Sequence, residues 1–206
     1  MTRNEGSSPQ CNHSYGRMGT SLITEGMRGM LLTTNILQAL ASPTQDTANK
    51  VGENISSVNR KKNRMINLAR DVGKPVFLHC RDDGSGEAAK RTLDMIRMMD
   101  MTHHDFHRHC FAGSVEELCQ WEIELPAVNF GVTMRSAQVP NLVARIPVER
   151  LLLETDAPYL SPAPGCKMNH PWNLASLAAQ VASIRNTPVS FILETCNNNA
   201  RQFYRL

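Results

Sequence analysis

Apolar and polar positions fall into a regular rhythm from about residue 60 to the end of the chain. Met65, Leu68, Ala69 and Val72 recur at helical spacing, which predicts an amphipathic helix over Arg60–Val72. Gly73-Lys74-Pro75 stops it, and Val76–Cys80 follows as a short apolar strand. A helix over Gly86–Met99 turns Ala89, Leu93, Ile96 and Met99 inward, and Phe106–Phe111 reads as a second strand. Ser114-Val115-Glu116-Glu117 has the form of a capping box, so a helix begins there. Val128–Thr133 is a third strand, Gln138–Ile146 a short helix and Leu151–Thr155 a fourth strand. Leu174, Leu177, Ala178, Val181 and Ile184 mark one further helix face, and a last helix follows Pro188. Strands and helices thus alternate four times with short connections, the pattern of a parallel sheet with crossover helices. Four such units make half of a (β/α)8 barrel or a small open sheet. The polar residues of interest stand at the ends of the strands rather than in their middles, which favours a barrel with its site at the carboxyl face.

Residues 1–60 lack this rhythm. They are rich in Ser, Thr, Asn and Gly, Tyr15 is their only aromatic residue, and only Asn35–Ala41 suggests a short helix. The expected organisation is a divergent, partly disordered segment over 1–60, followed by the regular α/β part over 61–206.

Composition narrows the class. With 206 residues, 41% of them hydrophobic and 20% charged, the chain suits a soluble domain with a sizeable core. A formal charge of +3 is compatible with a polyanionic substrate without requiring one. None of the six cysteines forms a Cys-x-x-Cys pair, which argues against a structural zinc ribbon. The polar start shows no signal peptide, and Gly29–Ala41 is too short and too polar to span a membrane. An intracellular protein with free thiols, cytoplasmic or nuclear, is the expectation.

The chemistry concentrates at strand ends. His79 closes the apolar run Phe77-Leu78, and His109 lies near the end of His107-Arg108-His109-Cys110-Phe111. Alternation puts His107, His109 and Phe111 on one face. A lone buried His is more often a hydrogen-bonded core residue than a ligand, and His103 and His104 read as a solvated loop pair. Cys80 points away from His79 and reads as a small hydrophobe beneath a helix. Asp156 follows three leucines and shares a period-two face with Glu154. A carboxylate at the end of a buried strand needs a cation, hydrogen bonds or a proton. The simplest alternative role for Asp156 is to cap the following loop. Two imidazoles and a carboxylate from three strands nevertheless converge naturally on a divalent metal.

Several segments resemble the TatD-type metal-dependent DNase family, and the likeness is strongest to the animal TatD-domain proteins. They are Lys74-Pro75-Val76-Phe77-Leu78-His79-Cys80-Arg81, His109-Cys110-Phe111-Ala112-Gly113-Ser114, Ile146 to Leu160 through Glu154-Thr155-Asp156-Ala157-Pro158, and Asn199-Ala200-Arg201-Gln202-Phe203-Tyr204. They occur in the family's order over residues 64–206. The resemblance implies a TIM barrel with divalent metal (Mg, Mn or Zn) at its strand ends and hydrolysis of phosphodiester bonds in DNA. It implies His79, His109 and Asp156 as metal ligands, with Asp156 activating the attacking water. Glu53, in Val51-Gly52-Glu53, would match the family's metal-bridging Glu, although Asn54-Ile55-Ser56-Ser57 departs from the rest of that motif. Arg81 is the candidate to bind a phosphate oxygen through its planar fork, with a structural ion pair as its other role.

The family's His-x-His on the first strand has no counterpart upstream of His79, and His13 is the only earlier histidine. A barrel lacking its first strands exposes edges, so self-association is expected. The alternatives to an active nuclease are a catalytically impaired relative that binds without turnover, a fragmentary gene product, and a hydrolase of small esters on the same scaffold.

Overall fold

A computed structural model describes residues 55–81, 84–160 and 168–206, with side chains from residue 63 onward. Glu53 and the helix expected at Asn35–Ala41 lie outside the described residues. The elements run α1 (Ile55–Asp71), β1 (Val76–Leu78), α2 (Glu87–Met98), β2 (Phe106–Arg108), α3 (Val115–Glu124), β3 (Val128–Val132), α4 (Pro140–Arg145), β4 (Leu151–Leu153), α5 (Leu174–Arg185) and α6 (Val189–Tyr204). The four strands form one parallel sheet in the order β1-β2-β3-β4. This is the alternation that the hydrophobic pattern predicts.

The strands are staggered. Phe106 is level with Val76 and Val128, whereas Phe130, two residues along β3, is level with Leu151. β4 is therefore displaced toward the carboxyl end, the kind of shift that lets a sheet curve. Val76, Leu78, Phe106, Val128, Phe130 and Leu151 are essentially sealed from solvent and make the core with the helices. Each such side chain contributes about 1.5–3 kcal/mol through burial. The other face carries Phe77, His107 and Asn129, level with one another across β1 to β3.

Local chemistry explains the boundaries. The Glu117 N–H donates to Ser114 Oγ at 3.1 Å, so α3 begins where the capping box places it. Arg108, on the core face, is buried against α3. Its guanidinium lies 5.4 Å from both the Phe111 and Trp121 rings, donates to the His109 carbonyl at 2.9 Å, and stands 3.6 Å from Glu117. β2 ends at Arg108, short of the expected Phe111, because Cys110 turns to a φ of 48°. β1 and β4 likewise stop before His79 and Glu154.

One helix face differs from expectation. On α1, Ile66 and Ala69 are buried, while Leu68 and Val72 are 44% and 56% exposed. The inward stripe is rotated from the one the spacing suggests, since α1 has the sheet only on one side and the Ile66 side packs there. On α2, Ala89, Leu93 and Ile96 are buried as expected, and Cys80 lies beneath it, accepting from Thr92 Oγ1 at 3.7 Å.

Candidate metal centre

At the carboxyl end of the sheet, three ionisable side chains from two strands meet. His109 follows β2, and Glu154 and Asp156 follow β4. One ligand atom from each lies within 4.8 Å of the others. His109 Nδ1 bonds Glu154 Oε2, and His109 Nε2 stands 3.2 Å from Asp156 Oδ1. The two carboxylates thus grip opposite nitrogens of one ring.

Their roles are not equal. Glu154 is buried, and both of its oxygens are committed: Oε1 to the Cys110 N–H at 3.1 Å and to His107 Nε2 at 3.1 Å, and Oε2 to His109. An ionised carboxylate only accepts, so His109 carries a proton on Nδ1 and presents Nε2 outward. This is how a metal-binding His is commonly oriented, its far nitrogen turned to the cation and its near N–H given to a carboxylate. Asp156, with 24% of its side chain exposed, opens to solvent beside that Nε2.

Electrostatics follow the same division. Burial opposes a charge on His109, but Glu154 and Asp156 outweigh it and hold the ring's pKa at about 9. Burial likewise opposes a charge on Glu154, and the facing imidazoles of His107 and His109 still hold its carboxyl far below the usual range. Burial pushes the Cys110 thiol up to about 11, the nearby carboxylates adding to it and its hydrogen bond with Thr133 opposing, so it is a poor candidate for a nucleophile or thiolate ligand.

His79 stands next to this group. Its ring centroid lies 5.3 Å from that of His109. Burial, and after it the positive charges of His109, Arg81 and Arg108, lower its pKa, against the pull of Asp156. A neutral imidazole is the form that binds metal. Phe77 packs on the far side of the pattern, its ring 4.5 Å from His109 and 4.8 Å from His107. Arg81 is exposed beyond His79, close enough for its charge to act on that ring. His104 bonds the Lys74 carbonyl at 2.8 Å and packs on Phe106 in a loop away from the cluster, so it is a partnered residue rather than a freely solvated one.

Two positions matter here that the residue pattern did not single out. Glu154 is the hub of the group, and its signal was a carboxylate closing a run of leucines, which must find partners when buried. Gly131 is the other. A Cβ at this position would land on the Glu154 carboxylate and crowd His107 Nε2, so β3 leaves the space through which Glu154 reaches both rings. The loop after Asp156 is pinned by buried Asn169. Its amide donates to the carbonyls of Thr155 and Leu160, and its N–H donates to the Pro158 carbonyl at 2.9 Å. Asp156 itself turns through a φ of 53°, a conformation that Asp tolerates better than most residues.

The donor set fits a divalent cation. Imidazole nitrogen and carboxylate oxygen together suit zinc, manganese or magnesium, and His109 Nε2 stands beside the partly exposed Asp156 carboxylate. Among the described residues, His109, Glu154 and Asp156 are the group whose ligand atoms come close enough to share one ion, and His79, expected from the sequence as a ligand, stands beside this group rather than in it.

Fold and site together define a parallel α/β protein with histidines and carboxylates gathered at the carboxyl ends of its strands. The chain belongs to the TatD related DNase family, whose model matches residues 50–205. It is 37% identical to the 3'-5' ssDNA/RNA exonuclease TatD of Edwardsiella piscicida over 150 residues, covering 68% of this chain and 55% of that protein. It is 28% identical to the human 3'-5' RNA nuclease TATDN2 over 192 residues, 84% of this chain and 24% of the relative. The chain thus spans little more than half the length of this Edwardsiella relative. Among solved structures, the TatD homologue YJJV of Escherichia coli superposes with a TM-score of 0.66 at 19% identity, covering 90% of this chain and 70% of that one. A TatD family hydrolase of Entamoeba histolytica gives 0.64 at 21% identity, covering 74% and 58%. The four βα units are accordingly of the (β/α)8 barrel type. Among the described residues, no helix is long and apolar enough to cross a membrane.

Proposed function

We propose that this chain is a metal-dependent hydrolase of phosphodiester bonds in DNA, acting on single strands. The observation that carries the reading is the pairing of His109 Nε2 with Asp156 at the open end of the sheet, in a chain of the TatD family. His79, His109 and Asp156 would hold the metal, with Glu53 as a further ligand contributed from the amino-terminal side. A bound divalent cation supplies Lewis acidity at the phosphoryl group and makes a nearby water more acidic.

The residues divide the remaining work. The Asp156 carboxylate accepts a proton from the attacking water as its oxygen bonds to phosphorus, and the opposite P–O bond breaks to release an alcohol that takes up a proton. His109, held by Glu154 through Nδ1, orients Asp156 through Nε2. Arg81, exposed beside His79, pairs with a phosphate oxygen of the substrate. The bacterial relative is named as an exonuclease of single-stranded DNA and RNA and the human one as an RNA nuclease, which is why single strands are proposed and RNA is included in the test. A reducing compartment, cytoplasm or nucleus, is part of this proposal; among the described residues, Cys110, Cys119 and Cys196 are in no disulfide.

The test is hydrolysis of end-labelled single-stranded DNA and RNA with magnesium, manganese or zinc, comparing the unaltered chain with Asp156→Asn. Activity that depends on metal and falls by ~100-fold or more in the variant is expected, the scale of losing a positioned proton acceptor. Absence of turnover with all three metals, under conditions where a full-length relative is active, would overturn the reading and leave a binding protein on a TatD scaffold.

A further inference from the structure

The last helix of the chain ends on the site's own support. At the carboxyl end of α6, Arg205 donates to the Gly73 carbonyl at 2.5 Å and lies 3.1 Å from Asp105, fastening the helix end to the amino ends of β1 and β2. Tyr204 is thereby brought beneath β2, where its hydroxyl stands 2.5 Å from His107 Nδ1. Phe203 packs beside it, its ring 6.0 Å from His107. The partners are 97 residues apart in sequence, so only the closed packing of α6 against the strand ends can unite them.

The hydrogen bonds form one connected network that converges on Glu154. Glu154 only accepts, so His107 donates to it from Nε2. The ring's other nitrogen, Nδ1, meets the Tyr204 hydroxyl at 2.5 Å, so both ring nitrogens of His107 are held. Through its other oxygen Glu154 also accepts from His109 Nδ1, which leaves Nε2 facing Asp156, so one carboxylate couples the two rings. The middle of the network is sealed: the His107 and Glu154 side chains are 1% and 2% exposed. Gly131 independently marks the same path, because its missing Cβ is the space that Glu154 and His107 share.

We infer that Tyr204 and His107 are positioning residues for the metal centre: through Glu154 they fix the ring pose and tautomer of His109, so that the carboxyl-terminal helix sets the cation affinity of a site at the opposite end of the sheet. This rests on the metal reading of His109 and Asp156 and extends it to residues that do not touch the cation. Supporting partners of metal-binding histidines typically change affinity by ~10–100-fold when removed. The nearest partner, Glu154, should sit at the upper end of that range and the distant hydroxyl of Tyr204 at or just below its lower end.

The experiment measures zinc and manganese affinity of the full chain by calorimetry, alongside thermal melting. Four proteins are compared: the unaltered chain, Tyr204→Phe, His107→Asn and Glu154→Gln. Tyr204→Phe keeps the ring and removes only the hydroxyl. The expected result is graded weakening, about 5–10-fold for Tyr204→Phe and ~10–100-fold for Glu154→Gln, with every variant folded at the measuring temperature. A purely structural role would lower the melting temperature and leave the affinity of the folded protein unchanged. Equal affinity in Tyr204→Phe, His107→Asn and the unaltered chain overturns the inference while the metal site stands. Failure of the unaltered chain to bind either metal overturns the metal reading, and the inference with it.

Discussion

The two flanks of the sheet are built differently. On the β4 side, α5 and α6 bury Leu177, Ala178, Val181, Ala182, Ile192, Cys196 and Phe203. Asn199 adds two hydrogen bonds from its amide, at 2.7 Å to the Val148 carbonyl and 2.9 Å to that of Leu151, where β4 begins. On the β1 side, α1 contributes Ile66 and Ala69 among its described side chains and leaves Leu68 and Val72 in solvent. Among the described residues, the β4 flank answers buried polar groups with specific partners, while α1 meets the core through Ile66 and Ala69. The difference shows where precision is needed. The carboxylates leave from β4, and a small shift of that strand would part Glu154 from both rings. His79, on the β1 side, meets His109 only through ring packing.

Substitutions can break or sharpen this contrast. The largest effect is expected for Glu154→Ala, which leaves His107 and His109 without their shared acceptor. Removing one partner of a buried ionic group costs about 3–5 kcal/mol. Gly131→Ala should act in the same direction, because its Cβ would displace that carboxylate. Denaturant unfolding followed by circular dichroism reads both, and a loss under 1 kcal/mol for Glu154→Ala would contradict the hub role. Next comes Asn199→Ala, which orphans the carbonyls of Val148 and Leu151 and should cost about 1–3 kcal/mol. The same unfolding measurement checks it, with cation affinity as a second readout of whether β4 has moved. Smallest is the double change Leu68→Ser and Val72→Ser on the open face of α1, expected to shift stability by less than about 0.5 kcal/mol for each substitution. A large loss there would mean that α1 is covered by other parts of the protein and that the two flanks are more alike than they look.

Much of the scaffold was readable from residue pattern. The capping box at Ser114 starts α3 through the bond it predicts, and the four apolar runs become four parallel strands in chain order. The strand-end placing of His109 and Asp156 also carried through to a direct contact. The α1 face did not, because spacing alone does not say which of two adjacent stripes will meet a sheet that lies on one side only. Strand lengths were overread for a related reason. Cys110 and Asp156 adopt positive φ, and these turns, which end the alternation just where the chemistry begins, have no signature in apolar periodicity.

The amino-acid order by itself determined the alternating architecture, the family, and the short segments in which ligands could occur, since these follow from local periodicity and motif. Tertiary structure alone decided that Glu154 serves His107 and His109, that Gly131 must be empty for it to do so, and that Tyr204 arrives from 97 residues away. The physical reason is that a buried charge must be answered by donors within about 3 Å, and which donors come that close depends on strand stagger and helix docking rather than on neighbours along the chain.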